Sequence, residues 1–288
     1  MLSTLFKHEM RANAKTFMWF YIAFVVIAVV NAIINPFAME SMNFASQSGD
    51  AAMVTAPIVF LPNAIRGVFM VLYSLSIGVI SVLTIVLIIL RFYKNLLGDE
   101  GYLMMTLPVT REQHILSKLL SAVIWSVCTT VLIFLSLVLM LASAGVLGDL
   151  IEGMNQMIAE GVPLNRWIVQ IIALMLVSCV NGILMLYAAM GIGPNMLKNR
   201  VGGSILAFII LYIGSQFVML AVTFSSMYTI FLNPQMMSTT ITKGPQVPDH
   251  VVAAVDTIFA GTIIGTAALA VAFWFITRYM LKRKLNLA

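Results

Sequence analysis

Six stretches of this sequence contain no Asp, Glu, Lys, Arg or His, and each is long enough to cross a lipid bilayer. They are residues 16–39, 67–90, 119–148, 167–197, 201–242 and 257–277. About 20 predominantly apolar residues span the hydrocarbon core as a helix. Only 9% of the 288 residues are charged, against about 25% in a soluble domain. Too few charges remain to cover a water-facing globule of this size. That excludes a soluble enzyme, a nucleic-acid-binding module and a disordered chain. The expected fold class is an all-α integral membrane protein with six transmembrane helices. One transmembrane domain covers 1–288, with spans near 17–35, 68–90, 119–143, 167–191, 202–224 and 257–277.

The longest window has room for two spans. Its second half, 225–242, carries Ser225, Ser226, Asn233, Pro234, Gln235 and several threonines. That is polar for a crossing, so a re-entrant or surface-lying segment is expected there, where irregular backbone is sheltered by protein or water. Lysine and arginine placement tests the count. With six spans, 13 of the 16 basic and 4 of the 11 acidic residues fall on the face of the termini, a net +9. The other face receives the remaining 3 and 7, a net −4. A seventh span would move Arg278, Lys282, Arg283 and Lys284 to the acidic face. Six spans with both termini cytoplasmic is therefore the expected topology. The apolar stretch after Lys15 exceeds a signal-peptide core in length, so it is expected to stay as the first span.

Residues 1–16 are expected to form an interfacial helix. Lys7, Arg11 and Lys15 recur every four residues as a basic stripe, with Leu2, Leu5, Phe6 and Met10 on another side. Such a helix suits an anionic leaflet, and an ordinary positive flank before the first span is the plainer reading. Glu9 falls within the apolar arc, where a buried carboxylate needs a cationic partner. Cys128 and Cys179 lie deep in apolar windows and are expected to pack as buried small hydrophobes. Asn31, Gln170, Asn181 and Gln216 are polar groups inside the windows, expected to bond between helices. Gly261 and Gly265 have the spacing that lets helices approach closely, within the bundle or at a subunit interface.

Several motifs are missing. Gly-Lys never occurs, so there is no phosphate-cradling Walker A loop. His8-Glu9 begins a zinc-protease signature, but Ala12 stands where its second histidine would be. No nucleophile elbow and no histidine cluster appear, so neither a catalytic nor a metal site is expected. No ionisable group lies within the windows, which disfavours ion-coupled transport.

The richest segment is Arg91–Lys118. Gly98 can end the extension of the second span, Asp99 can cap a short helix near 100–107, and Pro108 stops it. Thr110 and Gln113 form a capping box for the next helix. The short element displays Tyr102, Leu103, Met105 and Leu107, either as a docking surface or tucked against the membrane. The run FYKNLLGDEGYLMMTLPVTREQHILSKLL, residues 92–120, resembles the segment between spans 2 and 3 of the ATP-binding-cassette type-2 permeases of Gram-positive bacteria. LFKHEMRANAKTF, residues 5–17, resembles the N-terminal elbow helix of that family.

The resemblance implies a permease subunit of an exporter in the bacterial plasma membrane, paired with a second permease subunit, identical or related. It implies that ATP is hydrolysed on a separate ATPase subunit, with no cofactor in this chain. The coupling helix that docks on the ATPase would comprise Asp99, Glu100, Gly101, Tyr102, Leu103, Met104, Met105, Thr106, Leu107 and Pro108. The elbow would carry Lys7, Glu9, Arg11 and Lys15, and the family's re-entrant helices would fall within 225–256. The outer loops match no pattern that names a substrate. A substrate-capture subunit, a regulatory membrane protein and a membrane-embedded enzyme are the competing classes. The long cytoplasmic segment speaks against the first, and the lack of a polar catalytic cluster against the last.

Overall fold

A computed structural model of the chain describes residues 2–47, 52–93, 111–197, 200–232 and 249–284. These residues form seven helices: α1 (Leu2–Gln47), α2 (Ala52–Phe92), α3 (Arg111–Ser143), α4 (Val146–Ala159), α5 (Leu164–Met196), α6 (Arg200–Leu232) and α7 (Asp249–Lys284). All but α4 contain a membrane-length apolar stretch: Phe6–Pro36, Ala64–Phe92, Ile115–Ser143, Leu164–Pro194, Val201–Leu232 and Val251–Met280. The chain is therefore an all-helical protein with six helices long and apolar enough to cross a membrane.

The helices outrun the spans. With 46 residues, α1 is about 69 Å long at 1.5 Å per residue, more than twice the hydrocarbon thickness. It runs unbroken through Lys15, Thr16 and Phe17, so the basic stripe of residues 7–15 and the first span share one helix rather than meeting at a turn. No Gly or Pro occurs between residues 1 and 35 to break it. The far end of the fifth span differs from expectation too, because α6 continues to Leu232. The polar residues do not stop it, since their hydroxyls bond to their own helix. Thr223 donates to Met219 O, Ser226 to Val222 O and Thr229 to Ser226 O. Residues 233–242 of the expected re-entrant segment lie outside the described residues, and 249–256 open α7.

The chain divides into two compact units. One comprises Ser3–Leu87 and Ile124–Met154, with most of α1 and α2 and the later part of α3. Its contacts set helix direction. Tyr21 meets Thr129 and Asn35 meets Ser143, each pair 108 residues apart, so α1 and α3 run parallel over four turns. Helix α2 runs the other way: Tyr73 reaches Ser136 while Thr84 reaches Thr129. The result is an up-down-up triple around Phe24, Ala28, Tyr73 and Ile80. Phe17 stacks on Trp125 with centroids 4.6 Å apart and planes 5° from parallel.

The other unit holds Ile88–Val123 and Asn155–Ala288. Arg166 pairs with Asp256, and a Cβ on Gly191 would lie 3.2 Å from Met280 Cβ. These offsets are nearly equal, so α5 and α7 run parallel. Helix α6 is antiparallel to α7, with Ser226 and Val222 against Gly261 and Gly265. Gly193 and Gly203 bring α5 and α6 into backbone contact, where a Cβ on Gly193 would overlap Ser204. The core contains Ile88, Phe92, Ile115, Leu119, Tyr187, Ala188 and Phe273. Much of the remaining apolar surface is exposed on all six long helices, as lipid-facing surface is in a bundle whose solvent is the bilayer.

Candidate functional site

The coupling residues Asp99, Glu100, Gly101, Tyr102, Leu103, Met104, Met105, Thr106, Leu107 and Pro108 lie outside the described residues, but both roots of that segment are described. On the near side Phe92 is 1% exposed and stacks on Tyr187, with ring centroids 3.9 Å apart. On the far side Ile115 is equally buried, with Leu119 and Ala122 on successive turns of α3. Both roots belong to one core, which also contains Ala188 of α5 and Ala270 and Phe273 of α7. This core joins the end of α2 and the start of α3 to α5 and α7, and close packing transmits displacement rather than absorbing it. Ser117, Lys118 and Ser121, on the α3 side, are also buried and each engages a partner. A lysine with its side chain inside a core is costly unless its charge is compensated.

At the N-terminal helix, Lys7, Arg11 and Lys15 are exposed along one side of α1. Glu9 is buried and does not stand alone. The exposed cations and the inward carboxylate are therefore on different faces of the same helix, as their spacing requires.

The intramembrane polar residues behave differently from one another. Asn31 donates to Phe69 O, a bond between α1 and α2. Gln170 donates to Asp256 Oδ1 at 3.1 Å, while Arg166 contacts Oδ2 of the same carboxylate at 2.8 Å. This small network ties the start of α5 to the start of α7. Asn181 leaves its Oδ1 buried without a partner. Gln216 is exposed near the middle of the fifth span, with no side-chain hydrogen bond among the described residues. Cys179 is half-buried, whereas Cys128 is exposed on α3 rather than buried. Its weakly polar thiol makes that compatible with lipid.

A chain of hydroxyls in the α1–α3 triple was not foreseen from the sequence. Tyr21, Thr84 and Thr129 form one cluster, with contacts of 2.8 and 3.1 Å. Tyr73 and Ser136 form another at 2.8 Å. Ser136 spends its only proton on Ile133 O, so Tyr73 is the donor to Ser136. The sequence signal was weak, since Ser, Thr and Tyr at helical spacing also occur on lipid-facing surfaces.

The glycine pair of α7 faces a helix of its own chain. A Cβ on Gly261 would overlap Ser226 Oγ, and one on Gly265 would stand 3.0 Å from Val222 Cγ2. The small-residue seam is thus occupied within the bundle by α6. No known family, curated protein or solved structure matches this chain.

Proposed function

We propose that this chain is the membrane permease subunit of an ATP-binding-cassette exporter, with both termini cytoplasmic, in a bacterial plasma membrane. The observation that carries the reading is the segment 92–120, whose Gly-Asp-Glu-Gly-Tyr and Thr-Leu-Pro-Val runs resemble the coupling region of type-2 permeases. The rest is consistent with it. Six helices are long and apolar enough to form a transmembrane pathway, the lack of a Gly-Lys dipeptide agrees with a separate ATPase subunit, and Phe92 and Ile115 on either side of the segment lie in one close-packed core. In this mechanism an ATPase subunit docks on Asp99–Pro108. Its closure on ATP drives the loop, and Phe92 and Ile115 pass the displacement to Tyr187, Ala188 and Phe273. The helices of α5 and α7 then shift against the second permease subunit. A Gln amide facing lipid at mid-membrane is costly, so the Gln216 face of α6 is the surface assigned to that second subunit.

The test uses the permease with its ATPase subunit in liposomes. Asp99→Lys with Glu100→Lys, and separately Tyr102→Ala with Leu103→Ala, are expected to abolish co-purification of the ATPase. They are also expected to remove the permease-dependent part of its ATP turnover. Intact assembly and unchanged turnover in both variants would refute the coupling role. Assembly with ATP turnover that never responds to the permease would instead favour a regulatory subunit.

A further inference from the structure

We propose that α4 lies in the headgroup layer of the membrane, with one face among the acyl chains and the other in water. The helix was not expected from the spacing of charges, and its pattern is unusually clean. At 100° per residue, Val146, Leu147, Leu150, Ile151, Met154, Met157 and Ile158 fall within a single arc of about 140°. Asp149, Glu152, Asn155 and Gln156 occupy the opposite side, with the small residues Gly148 and Ala159 between them.

None of its fourteen residues is buried. Leu150 and Met154 near the middle of the apolar arc, and Ile151 and Ile158 at its edge, are all exposed by a third or more. An amphipathic helix with an uncovered apolar face requires an occupant for it. The connections say which one. Helix α3 ends at Ser143 and α4 begins at Val146, while α4 ends at Ala159 and α5 begins at Leu164. Both neighbours are membrane spans, so α4 is tethered at each end within a few residues of the bilayer surface.

The turns hold it there. Gly145 and Gly161 take left-handed φ values of 73° and 87°, which favour glycine. At the second turn Gly161 donates to Ile158 O and Val162 to Met157 O, a pairing that closes the helix sharply. The short tethers to two spans favour lipid over a protein partner as the occupant of the apolar face. Residues 146–159 contain no Lys or Arg. Attachment is therefore by apolar burial alone, unlike the basic stripe of α1, and gains nothing from anionic lipid.

This goes beyond the exporter reading and stands on membrane crossing alone. It holds whether or not an ATPase binds, so the two fail separately. The test uses the full chain without native thiols (Cys128→Ser, Cys179→Ala) in phosphatidylcholine liposomes. A bimane label is attached through Met154→Cys, at the centre of the apolar arc, or through Gln156→Cys, within the polar one. Ile158→Cys and Glu152→Cys form a second pair should either of the first misfold. At 154, acyl-brominated lipid should quench the label severalfold more than aqueous iodide does, and the order should reverse at 156. Equal iodide quenching at both sites would place the helix in water and overturn the proposal. Protection of 154 from both quenchers would mean that protein covers the face, which also overturns it.

Discussion

Replacing Gly265 with isoleucine probes a close contact between α6 and α7. A Cβ at this position would stand 3.0 Å from Val222 Cγ2, 3.2 Å from Cγ1 and 3.5 Å from Cβ. Carbon atoms pack best at about 3.5–4.0 Å, so even alanine intrudes by roughly half an ångström. Val222 cannot swing away easily, because a β-branched residue in a helix has one strongly preferred rotamer. Gly265→Ala gains about 1 kcal/mol of helix propensity and loses about 1–3 kcal/mol to overpacking, leaving a net loss near 1 kcal/mol. Gly265→Ile adds three more carbons to the same gap and should lose about 2–3 kcal/mol. Thermal unfolding in detergent should then show a Tm lower by about 4–12 °C, at roughly 2–4 °C per kcal/mol for a chain of this size. Val222→Ala clears the obstruction and should restore at least half of the loss, a coupling that a double-mutant cycle reads directly. Gly214 is the control: it lies on α6 with nothing within 4 Å of its Cβ position, so Gly214→Ile should leave Tm unchanged or raise it. Equal effects at 214 and 265, or no rescue by Val222→Ala, would refute the packing argument.

Two further perturbations test the polar groups. Gln216→Leu should weaken self-association of the chain in liposomes by roughly tenfold, read by energy transfer between labelled copies. Gln216→Asn should retain most of it, because interhelical amide bonds contribute about 0.6–1.7 kcal/mol each; association unchanged in Gln216→Leu would remove this face from the interface. Ser136→Ala orphans the hydroxyl of Tyr73, which is buried, and should lose about 1–3 kcal/mol. Tyr73→Phe only removes a donor from a serine whose proton is already placed and should lose about 0.6 kcal/mol, so a larger loss for Tyr73→Phe in the same melts would reverse the assigned donor.

The count and positions of the six apolar helices were legible because charge is expensive in hydrocarbon, and the uncharged windows mark where it is excluded. The helix ends were not legible from the same signal. Charges mark the edge of the membrane, whereas backbone hydrogen bonding continues past it, as α1 does beyond Pro36 and α6 does to Leu232. Helix α4 gave no signal in the charge map, because Asp149, Glu152 and Glu160 fall between two uncharged windows. Its apolar arc was present in the residues and needed a helical wheel rather than a charge map. At the candidate site, the glycine pair at 261 and 265 was readable as a close contact, but not the helix it meets. Gln170 was expected to bond between helices and does so. Its partner Asp256 is 86 residues away, at the lip of another window, and only the fold brings the two together. The hydroxyl contacts of Tyr21, Tyr73, Thr84, Thr129 and Ser136 carried no distinctive spacing, because a hydroxyl that bonds its own helix is equally at home facing lipid.

Every functional statement depends on the chain crossing the bilayer six times. Alkaline phosphatase, which is active only outside the cytoplasm, tests this most directly when fused either within α4 at Gly153 or after Lys284. Six crossings with an inward N-terminus predict an active enzyme at Gly153 and an inactive one after Lys284. An active enzyme at the tail would mean an odd number of crossings or an outward N-terminus, and would contradict both the topology and the placing of residues 99–108 beside a cytoplasmic ATPase.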